Sequence, residues 1–179
     1  RWVYSQAEMM TVNSPGFIPH LIEKGVKVNK ISVISDWADS KVFYPQQYDE
    51  ELAEHYNISG KFVIMYVGNF GKVQGLEYII SAASKLQYLK KLQFVFIGDG
   101  TELQKLHNIK EKEQIENVTF IPRQPMNEIS RFIALGDLLL VHLINKPVFR
   151  MQMPSKLIAY MACAKPLLCA MEGTAPKLI

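Results

Sequence analysis

The chain has 179 residues, 49% of them hydrophobic and 21% charged, with a formal charge of +3. That length suits one domain or slightly more at roughly 150 residues per domain, and the composition is that of a globular chain able to build a real core. The basic residues are dispersed, with no run longer than Lys90-Lys91 and no basic stripe interleaved with aromatics, which argues against nucleic-acid binding. No apolar run approaches the ~20 residues needed to span a bilayer, and no signal peptide is visible. Cys163 and Cys169 lack metal-ligand spacing and read as reduced, buried thiols of a cytosolic protein. The chain opens at Arg1 without a methionine and stops at Ile179 as a new helical pattern begins, so it is expected to be a piece of a longer protein.

In chain order, Pro19 to Lys24 is helix-like and Ile31-Ser32-Val33-Ile34 reads as a short strand. Lys61 to Val67 is a near-continuous apolar run between glycines, the pattern of a strand covered on both faces. Leu76 to Leu89 carries apolar residues at helical spacing, and Leu92 to Ile97 is a second buried strand ending in Gly98-Asp99-Gly100. Glu102 to Glu113 is a polar-faced helix, Asn117 to Ile121 a strand, Met126 to Leu135 a helix and Asp137 to Leu143 a further strand. A helix from Ser155 and a strand from Pro166 to Cys169 close the pattern. Such alternation predicts an α/β fold, a Rossmann-like parallel sheet with helices on both faces and ligands at the carboxyl ends of the strands. Residues 1–45 are less regular, lack a complete strand-helix unit and read as a linker or the remnant of another domain; residues 46–179 form the α/β unit.

The chemistry is expected in the loops at those strand ends. Gly68-Asn69-Phe70-Gly71-Lys72-Val73-Gln74-Gly75 is neither the dinucleotide fingerprint nor a P-loop, and its glycines permit close approach of backbone to a ligand. It is equally an ordinary strand-to-helix turn. Asp99 can accept from a ligand hydroxyl or cap the following helix, and capping is the commoner role in Gly-Asp-Gly turns. Arg123 and Gln124 follow the next strand, where Arg123 can pair with phosphate, stack on a base or be merely solvated. Asn145 to Met153 is a cationic loop with Lys146 and Arg150. It leads to Pro154-Ser155-Lys156, where Pro154 stops the preceding segment and Ser155 is a good N-cap. A lysine in the first turn opposes the helix dipole unless an anion is near, which suggests a phosphate site. The plain alternative is an amphipathic helix with one solvated lysine. His20 and His142 favour structural roles.

The order of these loops resembles the C-terminal, donor-binding domain of the group-1 family of retaining sugar-nucleotide glycosyltransferases, which pair two Rossmann-like domains (GT-B type). Lys30-Ile31-Ser32-Val33-Ile34-Ser35-Asp36-Trp37-Ala38-Asp39 with Val42-Phe43-Tyr44-Pro45 is similar to the family's K-I-x-V-I-x-N-x-V-D…F-x-P segment leading into that domain. Val67-Gly68-Asn69-Phe70-Gly71 with Gln74-Gly75-Leu76 resembles its diphosphate-approaching glycine loop, and Phe96-Ile97-Gly98-Asp99-Gly100 its I-G-D-G turn. Asn117-Val118-Thr119-Phe120-Ile121 and Gly136-Asp137-Leu138-Leu139-Leu140 resemble two framework strands. Pro154-Ser155-Lys156-Leu157 with Tyr160-Met161-Ala162 and Lys165-Pro166 is the most specific match. It resembles the subgroup that makes capsule, O-antigen and exopolysaccharide, including fucosamine-type transferases.

The resemblance implies residues 1–45 leading from a preceding N-terminal domain and a donor-binding domain at 46–179, truncated at its C-terminus. It implies a donor and phosphate site at Gly68, Asn69, Phe70, Gly71, Gln74, Lys146, Arg150, Pro154, Ser155 and Lys156, with Gly98, Asp99, Gly100, Arg123 and Gln124 at the nucleotide end. No metal or cofactor is implied; the nucleotide diphosphate sugar, UDP-linked, is the substrate. The implied partners are a lipid-linked or saccharide acceptor and, through the preceding domain, the periphery of a membrane, with the protein cytoplasmic at its inner face. The departures are as specific. Many members carry two glutamates separated by seven residues, and those places hold Met151 and Ala159 here. Asn69 and Gln74 stand where arginine and lysine usually anchor the diphosphate, and Ala164 replaces a common glycine. Lys146, Arg150 and Lys156, with free amides at Gly71, Ser155 and Lys156, are the expected replacements. A noncatalytic nucleotide-sugar-binding module and a sugar-nucleotide epimerase are the alternatives; a nicotinamide-dependent dehydrogenase is disfavoured by the absent fingerprint.

Overall fold

The computed structural model describes residues 2–179; Arg1 lies outside them. Five parallel strands make the central sheet: β3 (Phe62–Asn69), β4 (Leu92–Asp99), β5 (Val118–Ile121), β6 (Leu138–His142) and β7 (Leu167–Ala170), in the order β5-β4-β3-β6-β7. Alternate side chains of the central strands point to opposite faces, and each face has its own core. Val63, Met65, Val95 and Ile97 pack with α3 (Glu50–His55), α6 (Ile129–Ile133) and α8 (Ser155–Ala162). Tyr66, Phe94 and Phe96 pack with α4 (Leu76–Lys85) and α5 (Leu103–Lys112). Parallel strands covered on both sides are apolar throughout, which is why these runs stand out in the sequence.

Strands β3 and β4 run two residues beyond the predicted ends, because they stay in register through Gly68 opposite Gly98 and Asn69 opposite Asp99. The helices are shorter than predicted: α4 ends at Lys85, where Leu86 caps it, and α6 keeps only its central residues. Strand β6 starts where Asp137 grips β3, its carboxylate accepting from the Val63 amide at 2.7 Å and its amide donating to the Val63 carbonyl at 2.9 Å.

Residues 1–45 differ from expectation. Together with the short helix α1 (Trp2–Gln6), they contain a strand–helix–strand unit: β1 (Met10–Val12), α2 (Ile18–Glu23) and β2 (Ile31–Val33), with β1 and β2 pairing in parallel. β1 has only three residues and no apolar run, so nothing local announces it. The segment joins the α/β unit through Ser130, whose hydroxyl donates to the Val42 carbonyl at 2.6 Å and accepts from the Tyr44 amide at 3.2 Å. Phe43 packs into the same core as α6 and α8. Ser130 is buried, so Ser130→Ala strands two backbone groups and is expected to lower unfolding free energy by about 1–2 kcal/mol in urea titration. A shift below about 0.5 kcal/mol would mean that the connection adds nothing to the fold. Among the described residues, no helix is long and apolar enough to cross a membrane.

Candidate functional site

The chain passes from β3 to β4 to β5 in one direction and then returns to place β6 and β7 on the other side of β3. The crevice beyond the carboxyl ends of β3 and β6 is therefore the switch point, where sheets of this kind bind ligands. The last residues paired between β3 and β6 are Met65 and Leu139, and β3 continues to Asn69 paired with β4 alone. The strands splay. Tyr160 of α8 fills the gap, its hydroxyl accepting from the Val67 amide at 2.8 Å and donating to the Val67 carbonyl at 3.0 Å.

A cleft of about 760 Å³ opens over this point, within the size range of small-molecule sites. Gly68, Asn69, Gln74, Ser155 and Lys156 line it on the β3 and α8 side. Gly98, Asp99, Gly100, Arg123 and Gln124 line it on the β4 and β5 side. The two groups read separately from the sequence thus share one cavity. Trp37, Ala38, Phe43, Met126 and Ile129 add an apolar wall that sequence reasoning missed, as it missed Val67 and Tyr160. Trp37, 80% exposed, stands at the rim.

Lys156 is the centre of the electrostatics. Its Nζ is buried without a hydrogen-bond partner and lies 3.6 Å from the centroid of the Tyr66 ring. A Cβ at Gly68 would stand 3.1 Å from that nitrogen, so the bare backbone there makes room for the amine. Burial pushes the Lys156 amine down to about 7. Burial also raises the hydroxyls of Tyr66 and Tyr160, so both stay neutral.

Other predicted positions stand elsewhere or act differently. Ser155 is the first residue of α8, not its cap; Pro154 occupies the cap position and its carbonyl accepts from the Leu157 amide at 2.9 Å. The Ser155 and Lys156 amides, in the first turn, have no intrahelical acceptor and remain for an anion. The Gly71 amide is not free, because it donates to the Gln74 side chain at 3.1 Å. Phe70 is fully buried in an aromatic cluster with Tyr66, Phe96 and Phe120, and does not line the cleft. Lys146 is exposed outside the cleft lining. Arg150 is drawn off by Glu172, at 3.0 Å, and by Asn145, at 2.9 Å. Asp99 caps its own turn, accepting from the Gly100 amide at 2.7 Å, while Glu102 holds the N-cap position of α5. Gln124 bonds back to the Pro122 carbonyl at 2.8 Å. His142 is structural, as expected: its Nδ1 meets the Gln74 carbonyl at 2.5 Å and its ring packs near Tyr78. Of the two positions where the resemblance implies glutamates, Ala159 lines the cleft and Met151 does not.

A doubly wound parallel sheet with helices on both faces and a crevice at its switch point defines a Rossmann-like domain. The sequence model of the family described as Glycosyl transferases group 1 matches residues 43–179, and the chain belongs to that family. It is 32% identical over 174 residues to the probable glycosyltransferase WbjE of Pseudomonas aeruginosa, spanning 96% of this chain and 42% of that protein. It is 29% identical over 123 residues to the putative colanic acid biosynthesis glycosyl transferase WcaI of Escherichia coli K12, spanning 67% of this chain and 30% of that protein. The fold matches crystal structures of Anabaena Alr3699/HepE, one in complex with UDP and glucose, at TM-score 0.81 and 19% identity over 97% of this chain and 47% of that one. The chain spans less than half the length of each of these proteins.

Proposed function

We propose that this chain is the donor-binding part of a retaining glycosyltransferase. The enzyme moves a sugar from a nucleotide diphosphate donor, UDP-linked, to a growing bacterial surface polysaccharide or lipid-linked acceptor. Residues 46–179 bind the donor, and residues 1–45 connect to a preceding domain that brings the acceptor and any contact with a membrane. The protein works in the cytoplasm at the inner membrane face and needs no cofactor beyond its substrate.

The observation that carries this reading is a buried lysine without a counter-charge, set at the N-terminus of α8 in the switch-point cleft. The protein supplies this amine with no hydrogen-bond partner, and a bound anion would supply one. The departing diphosphate gathers negative charge in the transition state, and fixed amides at Ser155 and Lys156 with the Lys156 ammonium stabilise it without reorganising. Asp99, Arg123 and Gln124, across the cleft, suit the nucleoside.

A charge-assisted hydrogen bond to phosphate is worth about 1.5–3 kcal/mol, so Lys156→Ala should weaken UDP binding about tenfold or more in a titration. Unchanged affinity would remove Lys156 from the site. The chain alone should bind UDP and transfer no sugar; measurable turnover by this chain would show that no second domain is required. The apolar residues at Met151 and Ala159 favour a second reading, a noncatalytic nucleotide-sugar-binding module. Acceptor-dependent release of UDP by the full-length protein separates the two, and separates transfer from epimerisation.

A further inference from the structure

The surroundings of the Lys156 amine are built without any negative charge, and this has a consequence for how a donor binds. Of the two tyrosines at this part of the cleft, the Tyr66 hydroxyl donates to the Asn69 carbonyl at 2.9 Å, and the Tyr160 hydroxyl bonds both backbone groups of Val67. Neither accepts a hydrogen bond from the amine, whose Nζ has no partner. One turn along α8 from Lys156 stands Ala159, with no polar atom to offer.

The charged groups on the surrounding elements do not compensate. Asp99, at the end of β4, is the only carboxylate among the cleft-lining residues, and it is turned to the Gly100 amide. Arg123, beyond β5, is the only other charged side chain in the lining. His142, at the end of β6, faces the Gln74 carbonyl, and Cys163, the C-cap of α8, faces Ser130. Burial alone sets the state of the amine.

Two effects oppose each other on that nitrogen. The Tyr66 ring favours the ammonium, by about 2 kcal/mol at a desolvated site. Removing an ammonium from water without a partner costs several kcal/mol, so burial prevails. We propose that the cleft is a proton-coupled anion site: above neutral pH the Lys156 of the free protein is mostly a neutral amine, and a nucleotide diphosphate enters together with the proton that charges it. This inference rests on the donor-binding reading. The atoms balance simply: the proton comes from solvent, Nζ becomes an ammonium, and a non-bridging phosphate oxygen accepts its hydrogen bond.

The sign follows from linkage. The ligand favours the charged form, so binding raises the titration midpoint above the free value of about 7. Between the free and bound midpoints binding takes up a proton, and affinity falls as pH rises. Between the two midpoints, and well clear of each, the dissociation constant should grow about tenfold per pH unit.

The test is calorimetric titration with UDP-glucose, whose diphosphate, unlike the terminal phosphate of UDP, has no proton to gain near neutrality. Measurements at pH 8 in two buffers of different ionisation enthalpy should give an uptake close to one proton per site. Uptake should vanish at pH 5.5, and Lys156→Met should show neither the uptake nor the pH slope. Binding of UDP-glucose with no net proton uptake and a flat pH profile would overturn the inference while leaving the donor-binding reading standing. Carbon-13 NMR of the lysine Cε groups in the free protein, assigned by the resonance that Lys156→Met removes, gives an independent answer. A midpoint near 7 is expected, and one above 10 sinks the inference whether or not UDP-glucose binds. Failure of UDP-glucose to bind at any pH would refute the donor reading and, with it, the coupled step.

Discussion

Replacing Gly98 by alanine is expected to lower stability by about 4 kcal/mol or more, a loss that leaves a domain of ordinary stability marginal at 37 °C. Gly98 has φ +148° and faces Gly68 across β3 and β4. A Cβ there would stand 1.9 Å from the Gly68 carbonyl oxygen and 3.1 Å from the Phe70 ring. Neither can yield cheaply. The Gly68 backbone belongs to β3, and Phe70 is fully buried with its amide donating to the Asp99 carbonyl at 2.7 Å. The control is Gly60→Ala: φ is +68°, but nothing lies within 4 Å of the added carbon, so only conformational strain of about 1–2 kcal/mol is expected. Urea unfolding of both variants separates strain from collision. Equal losses would show that β4 can shift at its end, and that the close approach of the two strand ends is not required.

The same residues explain why the fold was legible and the site only partly so. Strands β3 and β4 announce themselves because each must be apolar on both faces, and the glycines at their ends mark where backbone meets backbone. β1 and α7 (Pro147–Arg150) carry no such signal, being three and four residues long. The helix α3 was readable in principle, since Asp49 caps it by accepting from the Leu52 amide at 2.9 Å and Glu50-Glu51 follow in its first turn. Side-chain direction was the harder part. Arg150 looks like a phosphate anchor in a cationic loop, yet Glu172 claims it from beyond β7. Gly71 looks like a free amide, yet Gln74 takes it. A motif fixes where the backbone goes; which polar atoms remain unpaired depends on partners distant in the sequence, and binding belongs to the unpaired ones. A cation at the wrong end of a helix dipole marks Lys156 in the sequence, but its burial follows only from packing against Tyr66.

Tyr160→Phe is expected to lower stability by about 3 kcal/mol, more than the removal of one hydroxyl ordinarily does. Phenylalanine keeps the ring and its volume, so no cavity term arises. What is lost is the pair of bonds from one hydroxyl to the amide and carbonyl of Val67, at 2.8 and 3.0 Å. Those groups lie past the last pairing of β3 with β6, where no strand can take them. Two backbone groups are left without partners, each worth about 1–3 kcal/mol when buried. Tyr66→Phe is the comparison, because it removes a single bond to the Asn69 carbonyl and should cost only about 1 kcal/mol. Urea titration of the two variants tests the difference directly; equal and small losses would mean that water replaces the Tyr160 hydroxyl in the cleft. Tyr160 also stands one turn after Lys156 on α8, so the bond pair that closes the splayed strands fixes the helix from which the lysine reaches into the cleft. A weaker hold on UDP should therefore accompany the loss of stability in Tyr160→Phe. It should not accompany Ser130→Ala, where the broken backbone bonds serve Val42 and Tyr44 and the one contact toward α8 is with the Cys163 thiol at its far end from Lys156.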